Sequence, residues 1–290
     1  MALALIDIGG SSIKFGLWAH DVVHLRGQVR TPKTLEDFYK VVKAKTQYYQ
    51  SQSNVSGVAI SSPGSVDQAS GIIRGASAIP YIHNFKIVED LKNLLSLPVA
   101  IENDANCAGL AEGTFGAAKN YQNSIFIVIG SGIGGAIITD GIIRHGSHLL
   151  AGEFGYMLEG NHNTVSMKGS PVWMANRYNQ HEKPASPVTG QMIFDLAQKG
   201  DPVAKKYLKT MYYALAHLIF NLQYSIDPEV FVLGGGVSNN LQLLPGIEGA
   251  LDEVMAKVEI AEVRPIIKLC QFRSEANLIG AAVNYFQTER

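Results

Sequence analysis

One pair of side chains stands where a carboxylate can act as a base. Val99-Ala100-Ile101 is a short apolar, β-leaning run after Pro98, and it ends in Glu102-Asn103-Asp104 before a small-residue helical pattern begins near Ala105. Strand, polar turn and helix in that order put Asn103 and Asp104 at a strand's carboxyl end, where open α/β sheets bind ligands. A carboxylate there can take a proton from an alcohol, and the amide beside it both donates to and accepts from hydroxyls. In isolation the pair is better explained by Asp104 capping the helix. Two glycine-rich turns elsewhere in the chain shift that balance.

The first turn is Gly9-Gly10-Ser11-Ser12, between an apolar strand from Ala2 to Ile8 and a second strand from Ile13 to Trp18. A hairpin tip of this composition can form an anion-binding nest, with the hydroxyls of Ser11 and Ser12 as extra donors and Lys14 as a nearby cation. Asp7, at the strand end, suits Mg²⁺ held through water, since this ion takes one or two carboxylates together with phosphate oxygens. An ordinary Gly-rich hairpin explains the stretch equally well. It is not a Walker A loop, which needs GxxxxGK[ST] spacing and a following helix.

The second turn, Gly130-Ser131-Gly132-Ile133-Gly134-Gly135, follows a nearly all-apolar strand from Ser124 to Ile129 and leads into a returning strand from Ala136 to Thr139. A dinucleotide fingerprint requires a helix after its glycines, so that reading drops out. Strand, glycine turn, strand thus occurs twice, as expected of two related domains facing each other across a cleft. Farther on, Gly152-Glu153-Phe154-Gly155-Tyr156 places a carboxylate between glycines. The strand Glu229–Leu233 ends at Gly234-Gly235-Gly236. Three glycines there allow close approach of a flat ligand such as a nucleoside, or form a flexible lead into a helix.

The remaining elements position these pieces. Helical periodicity covers Leu35 to about Gln50, Ala105 to Phe115, Pro202 to Ser225, Asn240 to Lys257 and Glu275 to Gln287, and Val55 to Ser61 reads as a strand. Residues Ser77 to Phe85 mix small, aromatic and amide side chains, which suits a sugar surface or a plain surface loop. The region from about Gly160 to Pro187 is Asn- and Pro-rich and reads as irregular. His145, His148 and His162 lie on loops without ligand spacing, as solvated or hydrogen-bonded histidines rather than a metal site.

Bulk properties exclude whole classes of function. The chain has 290 residues, long enough for two domains. Charged residues make up 17% and the net charge is -1, against a sequence-independent nucleic-acid binder or a polybasic membrane surface. Cys107 and Cys270 are far apart with no CxxC spacing, so neither a disulfide framework nor a thiolate zinc site is expected. The first residues lack a basic n-region, and glycines break the apolar stretches before a bilayer could be spanned. A cytoplasmic location is the expectation.

As a set, Asp7-Ile-Gly-Gly-Ser-Ser-Ile-Lys14, Glu102-Asn-Asp-Ala-Asn106, Gly130-Ser-Gly-Ile-Gly-Gly135, Ala151-Gly-Glu-Phe-Gly155, and Asp227-Pro-Glu-Val with Gly234-Gly-Gly236 closely resemble the ROK family of repressors, open reading frames and kinases. They span nearly the whole chain in the family's order. The resemblance implies a two-domain α/β, actin-like (ribonuclease H-like) ATPase fold with an interdomain cleft. The expected domains are residues 1–106, completed by a carboxyl-terminal helix over 275–290, and residues 107–274.

The resemblance also implies an ATP- and Mg²⁺-dependent sugar kinase. Asp104 would take the proton from the sugar's 6-hydroxyl, while Asn103 and Glu153 bind other hydroxyls and Ser77 and Tyr156 line the sugar loops. Gly9, Gly10, Ser11, Ser12 and Lys14, with Gly130, Ser131 and Gly132, would hold the ATP phosphates, and Gly234, Gly235 and Gly236 the adenosine side. Two departures stand out. Many members have His where Tyr156 stands, followed by zinc-binding cysteines absent here, so no zinc site is expected. The family's usual Glu, four residues ahead of a Ser matching Ser170, is Ser166. Both missing groups approach the anomeric end of the sugar, so a roomier anomeric side is expected. This pattern resembles zinc-free β-glucoside kinases, with zinc-free N-acetylmannosamine kinases and glucokinases as close rivals. A homodimer acting on a small-molecule sugar follows from the same resemblance, and the charge balance leaves no nucleic-acid or membrane partner expected. A repressor is disfavoured because the first strand begins at residue 2, where a helix-turn-helix domain would stand. A silent sugar sensor is disfavoured by Asp104, Asp7 and Lys14.

Overall fold

The computed structural model describes residues 1–160 and 162–288. The chain forms two compact units. The first holds Met1–Thr114, His145–Leu150 and the carboxyl-terminal residues from Ser274 on, and the second holds Phe115–Arg144 and Ala151–Arg273.

The first unit begins with β1 (Ala2–Ile8), β2 (Ser12–Ala19) and β3 (Val22–Arg30), followed by α1 (Leu35–Gln52) and β4 (Val55–Ser62). A small hairpin of β5 (Ser65–Asp67) and β6 (Ile72–Arg74), then α2 (Ile87–Leu95), β7 (Val99–Asn103) and α3 (Asp104–Thr114) complete its first segment. Its main sheet has the order β3-β2-β1-β4-β7, antiparallel across β1, β2 and β3 and parallel from β1 through β4 to β7. The register sets Asp7 opposite Lys14 and beside Ser61, with Ser61 beside Glu102 and Ser62 beside Asn103. Strand pairing alone therefore lines up the polar ends of β1, β4 and β7.

In the second unit β8 (Ser124–Ile129), β9 (Ile133–Thr139) and β10 (Ile142–Ile143) are followed by α4 (Val165–Gly169), α5 (Pro171–Glu182), α6 (Gly190–Gln198) and α7 (Pro202–Ile226). Then come β11 (Val230–Gly234), α8 (Leu243–Met255) and β12 (Ile267–Leu269). Sheet order β10-β9-β8-β11-β12 repeats the pattern of the first unit, with an antiparallel meander at one side and parallel strands at the other. The twice-repeated strand, glycine turn and strand is the start of each sheet.

Each unit has its own core. Ile6, Phe15, Phe38, Val42, Ile60 and Ile101 pack in the first, and Ile127, Phe194, Met211, Leu215, Phe231 and Leu233 in the second. Burying such a side chain stabilises by roughly 1.5–3 kcal/mol. The helices are punctuated by side chains the sequence supplies. Thr34 accepts from Asp37 N at the start of α1, and Asp201 accepts from Val203 N and Ala204 N ahead of Pro202 in α7.

Two expectations need correction. The stretch expected to be irregular contains α4 and α5, capped by Thr164, which accepts from Met167 N, and by Ser170, which accepts from Val172 N ahead of Pro171. Met174, Ala175 and Tyr178 are the buried face of α5, a helical spacing hidden among polar residues. The first unit also runs past the expected boundary at 106 to Thr114, because α3 packs on the final helix α9 (Ala276–Thr288). Their backbones touch where a Cβ on Gly280 would collide with the Cys107 carbonyl. Gly280→Ala should accordingly lower stability by about 2 kcal/mol or more, read as a fall in the denaturant midpoint, whereas Ala substitution at Gly27, where nothing crowds the missing side chain, should change it far less.

Candidate active site

In the first unit, the end of β7 is built around a carboxylate that sequence reading assigned no role. Glu102 is 1% exposed. Its Oε1 accepts from Asn103 N at 2.6 Å and Asn106 Nδ2 at 3.0 Å, and its Oε2 accepts from Gln68 Nε2 at 2.8 Å and His145 Nε2 at 2.6 Å. Three of these partners are amide donors, and the contact with Glu102 favours the protonated, donating form of the His145 ring. Gln68 gives its other amide hydrogen to Asn284 Oδ1 on α9, at 2.9 Å.

On this support stands the turn into α3. Asn103 Oδ1 accepts from Ala105 N at 2.9 Å and Asn106 N at 3.2 Å, and Asn103 Nδ2 donates to Gly64 O at 3.0 Å. The helix cap therefore falls mainly to Asn103, with Asp104 Oδ1 sharing the Ala105 N–H at 2.9 Å. Asp104 is the first residue of α3, where the partial positive charge of the helix terminus favours a carboxylate. Burial and the nearby carboxylates of Glu102, Asp7 and Asp104 push the Cys107 thiol well above its usual range, so three acids converge on the same part of the unit.

The first glycine turn lies beside them. Gly9 N donates to Ser12 O at 3.1 Å and closes the turn on itself. Thr31 N donates to Ser11 O at 3.1 Å and ties the tip to the end of β3. A Cβ at Gly9 would stand 2.8 Å from Ser12 O, and one at Gly10 would stand 3.0 Å from the Ala78 Cβ. Asp7, 5% exposed, accepts from Ser61 Oγ at 2.9 Å and Asn277 Nδ2 at 3.0 Å on Oδ1, and faces Lys14 Nζ at 3.4 Å on Oδ2. Lys14 also donates to Ser274 O at 3.3 Å. One carboxylate oxygen beside an ammonium fits Mg²⁺ held through water better than direct coordination. Ser77 accepts from Ile79 N and pairs with His83 Nε2 at 2.7 Å, a partner that carried no signal in the sequence.

The second unit presents the same device with different supports. Gly130 N donates to Gly132 O at 3.0 Å, again closing the turn. Ser170 Oγ lies 2.8 Å from Gly130 O and 2.9 Å from Ser131 O, and Ser166 Oγ accepts from Ile133 N at 2.9 Å. Serines at either end of α4 thus hold the turn from one side. Gly152 has φ +93°, and a Cβ there would collide with Gly135 O, as one on Gly155 would with Ile133 O. The glycines around Glu153 let this segment lie directly on β9, anchored by buried Phe154. The protein around Glu153 raises its carboxyl above the usual range although much of the residue is accessible. Tyr156 is 74% exposed.

Gly234 ends β11, and a Cβ on it would meet the Phe126 ring. Gly235 has φ +94° and lies against the Ile129 backbone, a position open only to glycine. Gly236 opens a 3-10 turn leading toward α8. Beyond it a groove of about 580 Å³ is lined by Leu208, Tyr212, Leu241, Gln242, Pro245 and Gly246 among others. Among the described residues no three His, Cys, Asp or Glu side chains gather as a metal-binding group. Nor is any helix there long and apolar enough to cross a membrane.

The chain as a whole is similar to several known proteins. A β-glucoside kinase of Klebsiella pneumoniae is 33% identical over 100% of this chain and 98% of its own length. A ROK family protein of Streptococcus pneumoniae, solved in complex with sucrose, superposes with a TM-score of 0.91 at 37% identity, covering 100% of this chain and 99% of that one. A ROK family glucokinase of Streptomyces griseus, solved with glucose and AMPPNP, gives a TM-score of 0.76 at 25% identity over 97% of this chain and 98% of that one. The ROK family model matches residues 3–287, so the chain belongs to the ROK family, among its ATP-dependent sugar kinases.

Proposed function

We propose that the protein transfers the γ-phosphoryl group of ATP to the 6-hydroxyl of a β-glucoside, with Asp104 as the general base. The observation that carries this is the place of Asp104, at the carboxyl end of a parallel strand on a turn braced by Asn103 and Glu102. Asp104 takes the hydroxyl proton as the oxygen attacks the γ-phosphorus, and the bond to ADP breaks with its electrons leaving on the β-phosphate oxygen. Asn103, whose Nδ2 carries a second hydrogen, binds a further hydroxyl together with Ser77, Glu153 and Tyr156. The turn of Gly9, Gly10, Ser11 and Ser12, with Lys14, and the turn of Gly130, Ser131 and Gly132 hold the phosphates. Because the amides of Gly9 and Gly130 close their own turns, the donors are those that follow them. The nucleoside lies along Gly234, Gly235 and Gly236, with its base in the groove beside Leu241. Asp7 is the residue to hold Mg²⁺ through water. When bound, that ion neutralises charge on the transferring phosphates.

The β-glucoside assignment is supported by the likeness to the Klebsiella enzyme and by the residues at the expected anomeric end. Tyr156 is exposed, as is Leu158, and the Ser166 hydroxyl is committed to Ile133 N. No carboxylate stands at either position, and the exposed ring offers a second sugar an aromatic face. By the same resemblance we propose a homodimer, and we propose a cytoplasmic protein that, from its charge balance, has no nucleic-acid or membrane partners.

Two measurements test this reading. Asp104→Asn should lose about 100-fold or more in kcat, while sugar affinity by calorimetry stays within about threefold; undiminished turnover would remove the base assignment. An ADP-release assay with MgATP across glucose, N-acetylmannosamine, fructose, cellobiose and gentiobiose should show turnover concentrated on the two disaccharides. Preference for a single monosaccharide moves the assignment to that kinase, and silence on every sugar favours a sensor.

A further inference from the structure

Residues 145–150 belong to the first unit although the chain on either side of them belongs to the second. Their anchor is His145, whose ring meets the buried Glu102 at 2.6 Å and whose side chain is 32% exposed. We propose that His145 is a positioning residue for phosphoryl transfer, clamping Glu102 and so fixing the turn that carries Asp104. The proposal rests on the reading of Asp104 as the base.

The argument begins with what holds Glu102. Three of its four donors, Gln68, Asn103 and Asn106, are neutral, and His145 alone can bring a positive charge. A carboxylate sealed from water by neutral donors only is costly, and a charged hydrogen bond offsets more of that cost than a neutral one. Each of the two Glu102 oxygens has a separate task. Oε1 holds the backbone of Asn103 and the side chain of Asn106, on either side of Asp104, and Oε2 is held by Gln68 and His145. Without His145, Oε2 keeps Gln68 as its one remaining donor, so the carboxylate, and with it the turn, is held less firmly.

The clamp also has an electrostatic side. The titratable and charged groups that converge on this part of the unit are Asp104 and Cys107 on α3 and Asp7 on β1 with Lys14 opposite on β2, while Arg144 and His148 neighbour His145 along the chain. Among the described residues, Glu102 is the carboxylate paired with His145. The hydrogen bond to Glu102 raises the imidazole above its usual value, against the opposing effect of partial burial. The protonated ring that this contact favours offsets the Glu102 charge. Removing that cation makes a neighbouring carboxyl harder to ionise, so the base loses its proton at higher pH.

The test is a kcat and kcat/KM profile against pH with MgATP and cellobiose, or glucose where monosaccharides turn over, for the wild type, His145→Ala and His145→Gln. His145→Ala should lose about 10-fold or more in kcat with sugar KM within about threefold. His145→Gln keeps an N–H donor and should recover to within about threefold of wild type. In both variants the acid limb of kcat/KM should move up by about half a pH unit or more. A role confined to folding would leave that limb in place. An acid limb at its wild-type position in both variants overturns the proposal, as does wild-type kcat in His145→Ala. Should the Ala variant not fold, the acid limb of the Gln variant decides alone. Turnover surviving in Asp104→Asn removes the base assignment whatever the His145 variants do, so the two failures are distinguishable.

Discussion

A carboxylate buried at a strand end has to have its lone pairs filled, and the first unit is arranged so that Glu102 does. Its partners come from the loop after β5, from the turn into α3 and from residue 145, and Gln68 links it onward to α9. An unpaired charge in that position would cost several kcal/mol, enough to remove much of the stability of an ordinary domain. Elements distant in sequence must therefore arrive together for any of them to be satisfied. This is why α9, at the far end of the chain, belongs to the unit that begins it. The close backbone approach at Gly280 and the placing of Asn277 on Asp7 and Asn284 on Gln68 all depend on that helix docking.

The two glycine turns share a constraint of a different kind. None of Gly9, Gly10, Gly130 or Gly132 has a positive φ, so backbone strain is not what excludes other residues. Space is. Three of the four have a neighbour that a Cβ would crowd: Ser12 O at Gly9, the Ala78 Cβ at Gly10 and Ser166 Oγ at Gly132. The first glycine of each turn uses its own N–H to close the turn, which stiffens the tip while it leaves later amides to face a ligand. Preorganised donors of this kind suit a transfer in which positioning and charge neutralisation do most of the catalytic work.

Much of this could be read from residue order. The strands that carry the glycine turns, the long helix α7 and the strand-to-helix step at Asn103-Asp104 all announce themselves through uninterrupted apolar runs or strong capping signals. What the sequence concealed was of two sorts. Helix α5 hides its buried face behind Asn, Arg and Gln, so its periodicity is weak although Ser170-Pro171 is a proper start signal. Long-range polar partners leave no local trace at all. Nothing near Glu102 points to Gln68 or His145, and nothing near Asp7 points to Asn277, because sheet register and α9 docking bring them together. The cap offers a milder case. Sequence reading weighed Asp104 for it, and the neighbouring amide takes most of it.

Position 166 shows how support and recognition compete for one side chain. Family resemblance places a carboxylate there, near the anomeric end of the sugar. Here the hydroxyl accepts from Ile133 N, and the missing side chains of Gly132 and Gly155 are what leave room for it, since a Cβ on either would crowd Ser166 Oγ. The second glycine turn, the glycines flanking Glu153 and the serine on α4 are thus small together. Enlarging one forces the others to move. A side chain that reached toward a sugar from position 166 would give up the bond to Ile133 N, and the turn would lose one of the two serines that hold it. The absence of a carboxylate at this position therefore follows from how the second turn is held.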